Sequence, residues 1–130
     1  MSIEFDFSEV RQLSASLGRV PREASRRVRQ AVEISARNVK DDARSYAAGY
    51  FGGGSARHYP GTMEYELKES GSGVVAEVGP RPGGQGNFAP LFESGNRNSG
   101  RYPSLEPALA DNEADFVKGL GVAIGEGLDL

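Results

Sequence analysis

Small and apolar residues between Pro21 and Tyr50 recur at Ala24, Val28, Ala31, Val32, Ser35, Val39, Ala43, Tyr46, Ala47 and Tyr50. Steps of three and four place them on one side of an α-helix. Pro21 suits a first helical turn, where its missing N–H is no loss, and Gly49 begins the glycines that end the run. The pattern predicts a helix over 21–50, about 45 Å long at 1.5 Å per residue. A globule of this chain length has a radius of gyration of roughly 14 Å. The helix therefore spans the fold and serves as its spine.

The other periodic stretches are shorter. Ile3, Phe5 and Phe7 alternate with Glu4 and Asp6, the signature of a half-buried strand. Val10, Leu13 and Leu17 follow at helical spacing, with Asp6 or Ser8 as cap, Glu9 in a capping-box position and Gly18 as the stop. They predict a short helix. Met63, Tyr65 and Leu67 alternate with Glu64, Glu66 and Lys68; Val74, Ala76 and Val78 alternate with Val75 and Glu77. These read as two strands, and the polar, glycine-containing linker Glu69–Gly73 makes them an antiparallel hairpin. The cluster Phe88–Glu93, interrupted by Pro90, fits either a short edge strand or a helical turn.

Leu105, Ala108, Leu109, Asn112, Phe116, Leu120 and Ile124 form a second helical stripe. Ser104 stands as its N-cap, and Glu106 lies in the first turn where the helix dipole favours an acid. Glycines at 119, 121, 125 and 127 predict fraying near Gly125. The expected architecture is α+β in a single domain, 1–130. A strand and short helix occupy 1–20, the long helix 21–50, a β-rich part with long loops 62–93, and the C-terminal helix 104–125. The long amphipathic helix packs on a small antiparallel β-sheet, the hairpin plus edge strands.

Composition tempers this picture. The apolar share is 38% with no tryptophan, so the core is modest, and the 18 glycines and 7 prolines fall mostly in the second half. Loops 49–61 and 79–87 are therefore expected to be irregular, ordering on contact with a partner. With no cysteine, disulfides and thiolate metal sites are excluded. No basic segment followed by an apolar run opens the chain, and no apolar stretch approaches the ~20 residues that span a bilayer. The expectation is a soluble protein made in the cytoplasm, with no membrane contact.

The net charge of −3 hides an asymmetry. The long helix carries Arg22, Arg26, Arg27, Arg29, Arg37, Lys40 and Arg44 against Glu23, Glu33, Asp41 and Asp42. The C-terminal stretch carries Lys118 against Glu106, Asp111, Glu113, Asp115, Glu126 and Asp129. Such a split is either two solvated faces or complementarity between copies or partners, since opposed patches steer association and fix register.

Candidate chemistry is sparse. The glycines at 52–54 are followed by no lysine, so the phosphate-loop pattern is absent. His58 is the only histidine and has no acid or nucleophile at a telling spacing. Glu64 and Glu66 share one strand face, but solvent-facing carboxylates explain them without an environment that splits their pKa values. No enzymatic activity, cofactor, metal or small-molecule substrate is expected.

Three segments resemble a known family. Pro60-Gly-Thr-Met-Glu-Tyr-Glu-Leu-Lys-Glu-Ser70 is similar to a "P-x-x-T-G-x-L-x-x-S" segment, Phe88-Ala-Pro-Leu-Phe-Glu-Ser-Gly95 to "Y-A-x-x-x-E-x-G", and Arg101-Tyr-Pro-Ser-Leu-Glu-Pro-Ala-Leu109 to "P-F-L-x-P-A-L". These segments occur, in this order and after a long basic helix, in the small head–tail connector or tail-completion (neck) proteins of long-tailed, siphovirus-type bacteriophages. Met63 stands where the family has glycine, Phe88 where it has tyrosine, and Ser104 where a large aromatic is common.

The resemblance implies a non-enzymatic structural virion protein of the head–tail junction, assembled in the host cytoplasm. It would complete the tail as a homo-oligomer, a hexameric ring in the virion and a monomer when free. The ring would sit between the head-side connector or stopper and the tail terminator, with non-specific DNA contact in the neck channel as an option. Arg22, Arg26, Arg29, Arg37 and Arg44 are the candidate partner contacts on the helix, and Glu93, Tyr102 and Leu105 those of the second half. The competing reading is a nucleic-acid-binding module in which the same arginines track phosphates. The net charge of −3 and the acids within the helix oppose it.

Overall fold

The computed structural model describes residues 2–5, 11–16, 22–70, 73–95 and 100–128. The long helix, α1 (Arg22–Phe51), buries Ser25, Val28, Val32, Ser35, Ala36, Val39, Ala43 and Ala47 along one stripe, close to the expected one. It runs through Gly49 and ends at Phe51, one residue beyond the expected Tyr50. Phe51 packs edge-on against Tyr59 and tilted on Phe92, at centroid distances of 5.8 and 4.4 Å. Those contacts offset the entropic cost of one helical glycine, which is about 1 kcal/mol.

The remaining elements are β1 (Ser2–Phe5), β2 (Arg11–Ser16), β3 (Met63–Ser70), β4 (Gly73–Pro80) and α2 (Leu105–Leu128). The strands form one antiparallel sheet in the order β1-β2-β4-β3. The expected hairpin is β3–β4. The helix expected around Val10 to Leu17 is instead strand β2 at Arg11–Ser16. An isolated helix that short is marginal, whereas β2 lies between β1 and β4 and pairs its backbone on both sides. The register aligns Ile3, Leu13, Ala76 and Leu67 in one row across all four strands. Period-two pairing of apolar residues thus won over the spacing of three and four. The predicted caps Asp6, Ser8 and Glu9, the stop Gly18 and the helix opener Pro21 lie outside the described residues, as do Phe7, Gly71-Ser72 and residues 96–99.

One face of the sheet meets α1, and α2 packs antiparallel along α1. Met63, Val74, Ala76 and Val78 from the sheet join Val28, Val32 and Val39 from α1 and Leu105, Leu109, Phe116 and Leu120 from α2 in a single core. Tyr46 Oη donates to Asp111 at 2.5 Å, and Asn112 Nδ2 donates to Asp42 at 2.7 Å, tying the two helices at one end. The glycines of α2 do not end it near Gly125, because Leu120 and Ala123 are buried and Ile124 packs on the core. Tertiary packing outweighs propensity there.

β4 runs on through Gly79 to Pro80, into the stretch 79–87 expected to be a loop. Arg81 N–H donates to Thr62 carbonyl at 2.7 Å, making Met63 and Pro80 a non-hydrogen-bonded pair. Pro80 also lies beyond the last β2 partner, Val78, so no ladder N–H is missed. The carbonyl of Met63 then points off the edge of the sheet. Arg44 meets it with Nε at 3.0 Å and Nη2 at 2.7 Å. One arginine both anchors α1 to the sheet and blunts an exposed strand edge.

Candidate functional site

The segments that carry the family resemblance converge at one corner, where α1 ends and α2 begins. Pro60–Thr62 forms a 3₁₀ turn leading into β3, Gly84–Phe88 a second, and Pro90–Ser94 a wider turn of π type. The Phe88–Glu93 cluster is therefore a helical turn, not an edge strand. Tyr50, Phe51, Tyr59, Phe88, Phe92 and Tyr102 form a continuous aromatic network with centroids 4.4 to 5.9 Å apart. Tyr59 is fully buried at its base, while Tyr50, Phe88 and Tyr102 stand between 43% and 47% exposed. The corner thus has a packed aromatic interior and an aromatic outer surface.

Glu93 organises it. Its carboxylate is buried and accepts from Ser104 N–H at 2.8 Å, Leu105 N–H at 3.4 Å, Tyr59 Oη at 3.2 Å and the Ser104 hydroxyl. Two of those donors are backbone N–H groups at the start of α2, where unpaired donors and the helix dipole favour an anion. Ser104 occupies the cap position, but its hydroxyl donates to Glu93, so the capping oxygen comes from Glu93. The Glu93 carbonyl accepts from Arg101 Nε at 3.1 Å, and Arg101 Nη2 meets Glu106 at 2.7 Å. Gly95 follows at φ 72° and ψ −176°, a region that side chains avoid. A Cβ there would lie 3.2 Å from Arg101 N and 3.0 Å from Arg101 Cγ. Glutamate and glycine two residues apart are what this turn-and-cap needs.

The two long loops are fastened to one another. Gln85 Nε2 donates to Ser55 carbonyl at 2.7 Å, and His58 N–H donates to Gln85 Oε1 at 2.8 Å. Gly86 comes so close to the Arg81 carbonyl that a Cβ would lie 2.0 Å from that oxygen. Loops expected to be irregular before assembly are joined here through one amide.

The helix arginines are spread over different tasks. Arg22 begins α1, and its side chain lies outside the described residues. Arg26 is exposed. Arg29 pairs with Glu69 at 2.9 Å, Arg37 with Glu33 at 3.8 Å, and Arg44 is used on Met63. Arg44, Glu93 and Leu105 are therefore corrections to the expected contact surface: Arg44 is half-buried and spent on a strand carbonyl, Glu93 is a buried cap, and Leu105 lies fully within the core. Tyr102 remains accessible, its N–H donating to Phe92 carbonyl at 2.7 Å. Sequence reading missed Tyr59, Gln85 and Arg101 because their partners lie 27 to 34 residues away, or, for Arg101, in the backbone of a turn. It also missed exposed Ile34, a lone branched aliphatic between Glu33 and Ser35, and exposed Val122, which the apolar run Leu120–Ile124 hides.

Lys68 is raised above its ordinary pKa first by its hydrogen bond with Glu77, 3.0 Å away. Tyr46 is raised first by its bond to Asp111. His58 is exposed and lines none of the described pockets. Among the described residues, no cluster of three acids or histidines is placed to hold a metal, and no helix is long and apolar enough to cross a membrane. No family model, curated protein or solved structure matches this chain.

Proposed function

We propose that the protein is a non-enzymatic assembly subunit of a bacteriophage neck, joining head and tail as a ring between the head-side connector and the tail terminator. The observation that carries this reading is the convergence of the three family-like segments on one corner. Glu93 and Gly95 from one segment cap and enclose the start of α2 from another, and Tyr59, just before the first, donates to Glu93. These residues thus have interlocking structural reasons to occur together. The exposed aromatic edge of Tyr50, Phe88 and Tyr102 adds a surface of the type enriched at protein interfaces. Ring subunits make heterologous contacts that close by rotation, and a basic α1 beside an acidic α2 of the next copy suits such a contact.

The nucleic-acid reading gains nothing from the arrangement, since Arg29, Arg37 and Arg44 already have partners within the chain. A tagged copy supplied during infection should sediment with finished particles and cross-link to the proteins flanking the neck. Recovery only in the soluble fraction, with no cross-link to either neighbour, overturns the reading.

A further inference from the structure

Strand β3 lies at one end of the sheet and is bonded to β4 alone. Its backbone groups alternate in direction. Because Met63 and Pro80 form a non-hydrogen-bonded pair, Glu64, Glu66 and Lys68 bond to β4, while Tyr65, Leu67 and Glu69 turn their N–H and C=O groups outward. Met63 faces the same way, but its N–H donates to the Pro60 carbonyl and its C=O accepts from Arg44. Among the described residues, nothing meets the outward groups of Tyr65, Leu67 and Glu69. The open stretch of edge therefore has Leu67 at its centre.

The charges beside it are unbalanced. Tyr65 and Leu67 pack on the core, so Glu64, Glu66 and Lys68 lie on the other face of the strand, all exposed. Glu66 stands directly across from Glu77, where like charges repel. Lys68 meets Glu77 at 3.0 Å, and Glu66 is in no ion pair among the described residues. The edge lacks a cation next to Glu66.

We propose that a second copy of this chain adds its own β3 to this edge, antiparallel, about a twofold axis at Leu67. Leu67 then pairs with Leu67, and Tyr65 pairs with Glu69 on either side, each pair exchanging both N–H···O bonds. Between those pairs, Glu66 of each copy lies opposite Lys68 of the other. The ammonium has three donors, enough to span Glu77 of its own sheet and the second copy's Glu66. Half-buried Leu67 and its counterpart cover one another on the α1 side.

Other registers fail. A shift that sets outward groups against inward ones also turns the side chains to the wrong face. Centring on Glu66 opposes Glu66 to itself and calls on Met63, whose groups are already used. Centring on Lys68 or Glu69 opposes that residue to itself, and centring on Tyr65 sets Glu64 against Glu66. The order Glu66-Leu67-Lys68 thus makes the strand complementary to its own reversed copy. From Tyr65 to Glu69 the contact is about 17 Å long at about 3.4 Å per residue. A footprint of that length falls short of the roughly 800 Å² per partner of a standard stable interface, so the dimer is a weak one. A twofold contact closes on itself and recruits no further copies. Its signature is a mass of two chains, and it stands or falls separately from the neck ring.

Sedimentation velocity of the purified chain, from about 5 to about 500 μM, brackets the range in which a weak, small interface assembles. The expected result is a concentration-dependent shift from one chain to two. Over the same range, amide hydrogen exchange should slow at Tyr65, Leu67 and Glu69 far more than at Glu64, Glu66 and Lys68, which are already bonded to β4. Glu66→Lys alone and Lys68→Glu alone each set like charges opposite one another and should weaken the dimer about tenfold or more. Both positions are exposed, so each variant should keep the wild-type melting temperature to within a few degrees. Mixed in equal amounts, the two variants should pair with each other about as well as wild type pairs with itself, because every cross-strand contact is again of opposite charge. A chain that stays monomeric to the highest concentration overturns the proposal, including the case in which another protein's strand occupies the edge. So does a dimer in which the Leu67 amide exchanges as fast as in the monomer, or a mixture of the two variants that associates no better than either alone.

Discussion

Glu93 shows how much one buried carboxylate can decide. Truncation by Glu93→Ala leaves the Ser104 and Leu105 N–H groups and the Tyr59 hydroxyl facing a gap. Breaking a buried, multiply bonded charge costs about 3 kcal/mol. The melting temperature should fall by roughly 10 °C at this chain length. Glu93→Gln keeps the shape and one acceptor oxygen and should cost about half as much. A melting curve for Glu93→Ala within 2 °C of wild type, about half a kcal/mol, would mean that the cap is dispensable. Gly95→Ala should be destabilising by about 1–3 kcal/mol for a different reason, since its φ and the nearby Arg101 backbone leave no place for a Cβ.

Tyr46 gives a titration test at the same scale. Its hydroxyl donates to Asp111, which raises its pKa, so the folded value lies above the unfolded one. The contribution to stability is complete below the ordinary tyrosine range near pH 10 and is lost as pH rises through the folded value. Absorbance at 295 nm should show the Tyr46 phenol ionising late, and Asp111→Asn should move that ionisation to lower pH. A titration unchanged by Asp111→Asn removes this inter-helix bond from the account of the fold.

At the level of elements, the loops joined by Gln85 make a direct prediction. Gln85→Ala removes both the donor to Ser55 and the acceptor for His58. Amide hydrogen exchange at His58 should then accelerate by about fivefold, the consequence of losing roughly 1 kcal/mol of protection. Unchanged exchange would show that the surrounding turns hold this loop without the amide. The sequence was informative where one periodicity ran long: the stripe of α1, the β3–β4 alternation and the stripe of α2 are legible as written. It misled at Val10, Leu13 and Leu17, where helical spacing coexisted with an apolar alternation that only acquires meaning once Leu13 faces Ile3 and Ala76 across the sheet. The site was legible in part. The need for an acid at 93 and a glycine at 95 could be sensed from the motif, but the identity of Glu93's partners depends on how α2 returns to the turn.

For the whole molecule, the central question is whether the basic side of α1 meets another protein. Arg29 and Arg37 are paired at the surface with Glu69 and Glu33, and such exposed pairs contribute about 0–1 kcal/mol each. Reversing charge at Arg26, Arg29 and Arg37 together should therefore leave the chain folded while disrupting assembly; circular dichroism and particle incorporation read the two effects separately. Normal incorporation of the reversed protein would leave those arginines as a solvated face.

The neck proposal is tested most directly by deleting the gene for this chain from a phage that encodes it and viewing the particles made by electron microscopy. Filled heads and separate, finished tails that fail to join, with joining restored by supplying the intact protein, are the expected result. Joined, infectious particles in normal yield without the protein would contradict the assignment to the neck.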